Sequence, residues 1–180
     1  YMHNCMQLNS GVFTDGVPHF SNVSRVTGTS STDWSWGPLF ADFDNDGYKD
    51  LYITNGTRRE INNNDFFNSL ENGKLEKKDL LKKSKEIPSE KIDNFMYQNK
   101  GNLHFEQVNK KWGIEFKGFS NGVAYADLDN DGDLEVITNN IDDYASVFEN
   151  TSSKTNNYLT IRFKGTSKNS QGLGNRVSVK

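Results

Sequence analysis

Two short acidic runs, 85 residues apart, constrain this chain more than any other feature. The first is DFDNDGYKD at 42–50 and the second is DLDNDGDLE at 127–135. Each places a carboxylate at positions 1, 3, 5 and 9 and a glycine at position 6. Carboxylates held this close repel one another unless a cation sits among them. Hard oxygen donors in that number suit Ca²⁺, and the glycine lets the backbone turn back on itself. The alternative is an acidic turn without metal, and two copies with the same spacing argue against it.

The runs are not EF-hands. An EF-hand loop ends in a bidentate Glu at position 12 and lies between helices. Position 12 is Ile53 in the first run and Thr138 in the second. The flanks read as strands rather than helices: GPLFA (37–41) and LYIT (51–54) around the first run, GVAYA (122–126) and VIT (136–138) around the second. Each run is therefore expected to join two antiparallel strands. The expected ligands are the side chains of Asp42, Asp44, Asp46 and Asp50 with the carbonyl of Tyr48. In the second loop they are Asp127, Asp129, Asp131 and Glu135 with the carbonyl of Asp133.

The similarity extends beyond the loops. At the same offset His19-Phe20 matches His104-Phe105, Val23 matches Val108, Gly28 matches Gly113 and Gly37 matches Gly122. After the loop the sequence match slips by one, pairing Ile53-Thr-Asn55 with Ile137-Thr-Asn139. Fainter echoes set Asn4, Met6, Asn9 and Gly11 against Asn94, Met96, Asn99 and Gly101, and Phe148-Glu-Asn150 against Tyr97-Gln-Asn99. The unit reads as strand, Asn/Gly turn, Phe-x-x-Val strand, loop, strand, calcium loop, strand. That is the strand content of a β-propeller blade, which cannot bury both faces alone. The fold expected is all-β, with four-stranded antiparallel blades. The excess length falls at 57–93, a polar insert with apolar positions at Leu75, Leu80 and Leu81. It reads as one or two short helices ended by Ile87-Pro88, a solvated excursion on one rim, with a partner-binding lid as the alternative.

The chain has 180 residues but only about two such units, and a closed ring typically needs four or more. It reads as a segment of a larger propeller: it starts without a Met or signal peptide and stops in the strand-like run 176–180. Hydrophobic content is 33%, concentrated in the strand-like runs, with no apolar run long enough to span a membrane. The formal net charge of −3 is calcium-loop acidity, since two divalent ions would carry it past neutrality. No cluster of Lys and Arg with aromatics points to nucleic acid. Cys5 is the only cysteine and has no internal partner. Loops of this kind stay filled where calcium is abundant, so the chain is expected outside the cytosol, extracellular or periplasmic.

The loops with their flanking strands, GPLFADFDNDGYKDLYITNG and NGVAYADLDNDGDLEVITNN, resemble FG-GAP/VCBS repeats, the blades of integrin-type β-propellers. The resemblance covers roughly residues 1–150, and the propeller part is expected to span 1–155. Residues 156–180 are similar to the opening of an ASPIC/UnbV domain, a small β module that follows such propellers in proteins related to cartilage acidic protein. The insert resembles those of large secreted or surface proteins of Bacteroidetes-type bacteria. The resemblance implies a calcium-stabilised, non-catalytic propeller on an exported protein, at the cell surface or outer membrane. In the family loop, positions 1, 3, 5 and 9 ligate by side chain and position 7 by its carbonyl. Position 9 is Glu135 in the second loop, where Asp is usual.

Catalytic machinery is not evident. No nucleophile-elbow, phosphate-loop or zincin motif occurs. His19 and His104 hold equivalent positions, which favours a structural role, and Cys5 reads as a small buried side chain. Trp34 and Trp36 are candidate ligand-binding residues, a stacking platform for sugar rings, against the plainer reading of packing between blades. The first reading is a module binding a protein or glycan partner, or scaffolding a large surface assembly. The alternative is part of a propeller-based polysaccharide lyase or hydrolase, with Asp33 beside the tryptophans.

Overall fold

The computed structural model describes residues 3–14, 16–59, 64–71 and 77–178. The fold is all-β and antiparallel, with a few short helices. An N-terminal hairpin pairs β1 (Gln7–Thr14) with β2 (Val17–Asn22). A four-stranded sheet follows in the order β3 (Ser35–Ala41), β4 (Asp50–Asn55), β6 (Phe95–Asn99), β7 (Phe105–Gln107). A three-stranded sheet is built from β9 (Ser120–Ala126), β10 (Glu135–Asn140) and β11 (Ser146–Phe148), with β10 in the centre. Two-residue strands β5 (Ile92–Asp93) and β8 (Lys117–Gly118) pair between them.

Both acidic runs turn an antiparallel hairpin, β3 to β4 and β9 to β10. The pairing corrects two details of the sequence reading. First, the offset of 85 does not slip after the loop. Ala41 faces Asp50 as Ala126 faces Glu135, and Ser35 faces Asn55 as Ser120 faces Asn140. The physical reason is a shared anchor at the far end of each hairpin. The Ser35 hydroxyl donates to Asn55 Oδ1 at 2.8 Å, and the Ser120 hydroxyl donates to Asn140 Oδ1 at 2.7 Å. Second, sheet boundaries do not follow the sequence unit. β6 and β7 continue the ladder of the preceding hairpin, not of the one after them, because the wholly buried β4 offers them its free edge.

Within the four-stranded sheet β4 is covered on both faces. On one, Leu39, Ala41 and Tyr52 meet Val123, Val136 and Phe148 of the other sheet, and Phe43, Met96, Val108 and Ile114 complete the core. On the other, Leu51, Ile53 and Tyr97 take Met6 from the N-terminal segment. Burying apolar strands on two sides at once supplies most of the driving force for this arrangement.

The segment after β4 holds α1 (Asn64–Glu71) and α2 (Lys77–Glu86), the helices expected of the insert; Leu75 lies outside the described residues. A third short helix, α3 (Asn109–Trp112), ends at left-handed Gly113 and sets Trp112 against the core. Residues 156–178 carry turns and no strand. The strand reading of 176–180 is not met over its described part, where no neighbouring strand offers a ladder. Among the described residues no helix is long and apolar enough to cross a membrane.

Candidate metal centres

The two hairpin turns are built by the same hydrogen bonds. In each, position 1 caps the turn: Asp42 accepts from the N–H groups of Asp46 (3.1 Å) and Gly47 (2.9 Å), and Asp127 from Asp131 (3.1 Å) and Gly132 (3.3 Å). Position 5 accepts from position 7, Asp46 from Tyr48 at 2.8 Å and Asp131 from Asp133 at 3.2 Å. Position 9 reaches back to position 2. Asp50 Oδ2 takes the Phe43 N–H at 3.0 Å, and Glu135 Oε2 takes the Leu128 N–H at 2.6 Å, so the longer side chain fills the same role. The backbone adopts left-handed values at Asn45 (φ 56°) and Asn130 (φ 64°), then at Gly47 (φ 92°) and Gly132 (φ 91°). Asn tolerates that region and Gly occupies it freely, so this pattern of residue types specifies the turn.

The carboxylates converge. Asp42, Asp44 and Asp50 present oxygens within 4.8 Å of one another, as do Asp127, Asp129 and Glu135. These are positions 1, 3 and 9 of each loop. Oxygens that lie on opposite sides of a Ca²⁺ ion at about 2.3–2.6 Å from it are separated by no more than about 5 Å, so both groups can hold one. Asp46 stands outside the first group, engaged with the turn backbone. Tyr48 at position 7 is half-exposed, its ring over Gly101.

Electrostatics mark the first group as strained without a counter-charge. Burial pushes Asp50 up to about 7, against the lowering effect of hydrogen bonds from the Asn99 and Phe43 N–H groups. Burial also raises Asp44, and the neighbouring Asp46 charge adds to it. Gln98 donates to Asp44 Oδ2 at 2.5 Å, yet Asp44 Oδ1 and Gln98 Oε1 are both buried without a partner. Buried polar atoms are rarely left unmet.

The two loops touch, a contact that no run of the sequence announces. Asn45 donates to the Gly132 carbonyl at 3.3 Å, and the Phe43 and Tyr125 rings meet edge to face. Residues 150–156 lie against both. Asn150 donates to the Phe43 carbonyl (2.6 Å) and the Leu134 carbonyl (3.2 Å), and the Ser152 hydroxyl donates to Phe43 as well. Ser153 donates to Asp133 Oδ2 through its N–H and to Asp131 Oδ2 through its hydroxyl. The latter bond is the main cause of the lowered Asp131 pKa. Asn156 reaches the Asp44 carbonyl at 2.5 Å. The sequence held one hint, the match of Asn150 with Asn99. Asn99 likewise donates to the position-8 carbonyl, that of Lys49, at 3.0 Å. Replacing Asn150→Ala removes two donated bonds and two accepted from Thr151 and Ser152 N–H. The expected loss is about 1–3 kcal/mol, since the carbonyls it leaves are partly buried. Urea unfolding measures it, and an unchanged midpoint would show that the segment does not brace the loops.

The other candidates are dispersed. Trp34 and Trp36 lie 6.5 Å apart with rings tilted by 49°, not a flat platform, and Trp36 Nε1 donates to the Gly56 carbonyl at 2.7 Å. Trp36 is half-exposed and lines a groove of about 370 Å³ with Phe40, Leu51 and Ile53. Asp33 accepts from the Trp34 N–H. His19 and His104 are exposed. Cys5 is exposed too, which corrects its reading as a buried residue: it lies on a rim of the same groove, before β1 begins. Comparison with protein-family models, curated proteins and solved structures finds no match to this chain.

Proposed function

We propose that this chain is a calcium-stabilised segment of a β-propeller of the FG-GAP/VCBS type, a binding or scaffolding module of an exported protein. One observation carries the reading: two hairpin turns, 85 residues apart, share their hydrogen bonds and converge three carboxylates each. The ordering of an all-oxygen donor set in a Gly-containing turn favours Ca²⁺ over softer metals. The propeller part draws support from the sheets. They stack face to face, and β4 inside the four-stranded sheet is buried on both sides, as a strand of a unit between neighbours would be. Residues 23–29 and 108–114 support it further. Val23 N–H bonds to Met6 and Val108 N–H to Met96, both at 2.8 Å, and left-handed Gly28 and Gly113 follow.

In this reading the ligands are Asp42, Asp44 and Asp50 in one loop and Asp127, Asp129 and Glu135 in the other, with Asp46, Asp131 and the position-7 carbonyls completing them. The ions fix the hairpins, and a protein or glycan partner binds elsewhere on the sheets or loops. Calorimetric titration of the metal-stripped chain tests it. Saturable Ca²⁺ uptake with a preference over Mg²⁺ is expected, and no heat or bound ion at millimolar calcium would overturn the reading.

A further inference from the structure

The second loop differs from the first at position 7, where Asp133 stands in place of Tyr48. Its carboxylate is wholly buried and forms, with Asp131 and Glu135, another group whose oxygens lie within 4.8 Å of one another. We propose that this group holds a second divalent cation, Ca²⁺ by its donors, beside the one at Asp127, Asp129 and Glu135, with Asp131 and Glu135 shared between them. The proposal builds on the calcium reading of the loops and adds an ion to it.

Orphaned atoms carry the inference. Asp133 Oδ2 accepts from the Ser153 N–H at 2.9 Å, while Asp133 Oδ1 is buried with no partner. Glu135, 4% exposed, spends Oε2 on the Leu128 N–H and leaves Oε1 equally unmet. Neither residue takes part in an ion pair among the described residues. Two buried carboxylates, each with a bare oxygen and no cationic side chain, are costly to hold together. Ser153 nevertheless holds Asp131 and Asp133 side by side, its hydroxyl on one and its N–H on the other. Five carboxylates fall within nine residues here, at 127, 129, 131, 133 and 135, so two divalent ions still leave the loop slightly negative. The first loop has no carboxylate at position 7 and forms a single group among the described residues. The chain is therefore asymmetric, with one ion in the first loop and two in the second.

Counting bound calcium by native mass spectrometry and equilibrium dialysis of the whole chain tests this. Three ions per chain are expected, falling to two in Asp133→Asn, with its melting in saturating calcium still cooperative. Two ions in the wild type, or an unchanged count in Asp133→Asn, would overturn the proposal and mean that a shared proton or a water meets those oxygens. No bound ion at all would remove the calcium reading as well, so the two failures are distinct. If Asp133→Asn does not fold, the wild-type count decides.

Discussion

Excess EGTA is expected to lower the melting temperature of this chain by roughly 10–20 °C. An ion present at about 100 times its dissociation constant stabilises the folded state by about 2.7 kcal/mol. The two ions of the proposed function, one per loop, supply about 5 kcal/mol before any further ion at Asp133 is counted, and for a chain of this size each kcal/mol is worth about 2–4 °C. The shift is that large because the carboxylates are already gathered by the turns. Asp42 and Asp127 are tied to backbone N–H groups, and Asp50 is fully buried, so the repulsion remains when the ion leaves. Calcium added back is expected to restore the transition, whereas equimolar magnesium restores less of it. A melting curve indifferent to chelation, on protein shown to carry calcium beforehand, would mean that the turns hold without a cation.

Position 50 separates the turn from the metal. Asp50 accepts from the N–H groups of Phe43 at 3.0 Å and Asn99 at 2.8 Å, and it has no exposed surface. Asp50→Ala strands both donors, at about 1–3 kcal/mol each, so a loss of roughly 2–6 kcal/mol is expected even without calcium. That approaches the whole stability of an ordinary domain, about 5–15 kcal/mol. Asp50→Asn keeps one acceptor and the shape but removes the charge. It is expected to cost less in the metal-free chain, while abolishing uptake at the first loop. Chemical unfolding with and without calcium measures both. Wild-type calcium uptake in Asp50→Asn would show that the first loop is not a cation site.

Much of the local structure was legible from residue types. Alternating β-branched and aromatic runs around DFDNDG and DLDNDG specify antiparallel strands, and the Asn and Gly at positions 4 and 6 specify the left-handed turn between them. The polar insert gave its helices away through charge and the Pro88 stop. Less visible was everything that depends on which strand neighbours which. The hairpin ends match in space at Asn55 and Asn140, although a one-residue shift aligns the letters better. Hydrogen bonds donated by Ser35 and Ser120 to those asparagines anchor that register, and a letter match does not register them. Cys5 reads as buried by residue type, but exposure is set by what happens to cover a strand-like segment.

The chain by itself determined its two turns, because carboxylates at fixed spacing around a glycine act over nine residues and need nothing distant. Only the tertiary structure decided that these turns abut, with Asn150 and Ser153 joining them from more than a hundred and about twenty residues away respectively. It also decided that Asp133 turns inward with a bare oxygen. Such contacts follow from packing one sheet on another, and the energy that selects them comes from the shared core of Tyr52, Met96 and Val136 rather than from any run of sequence.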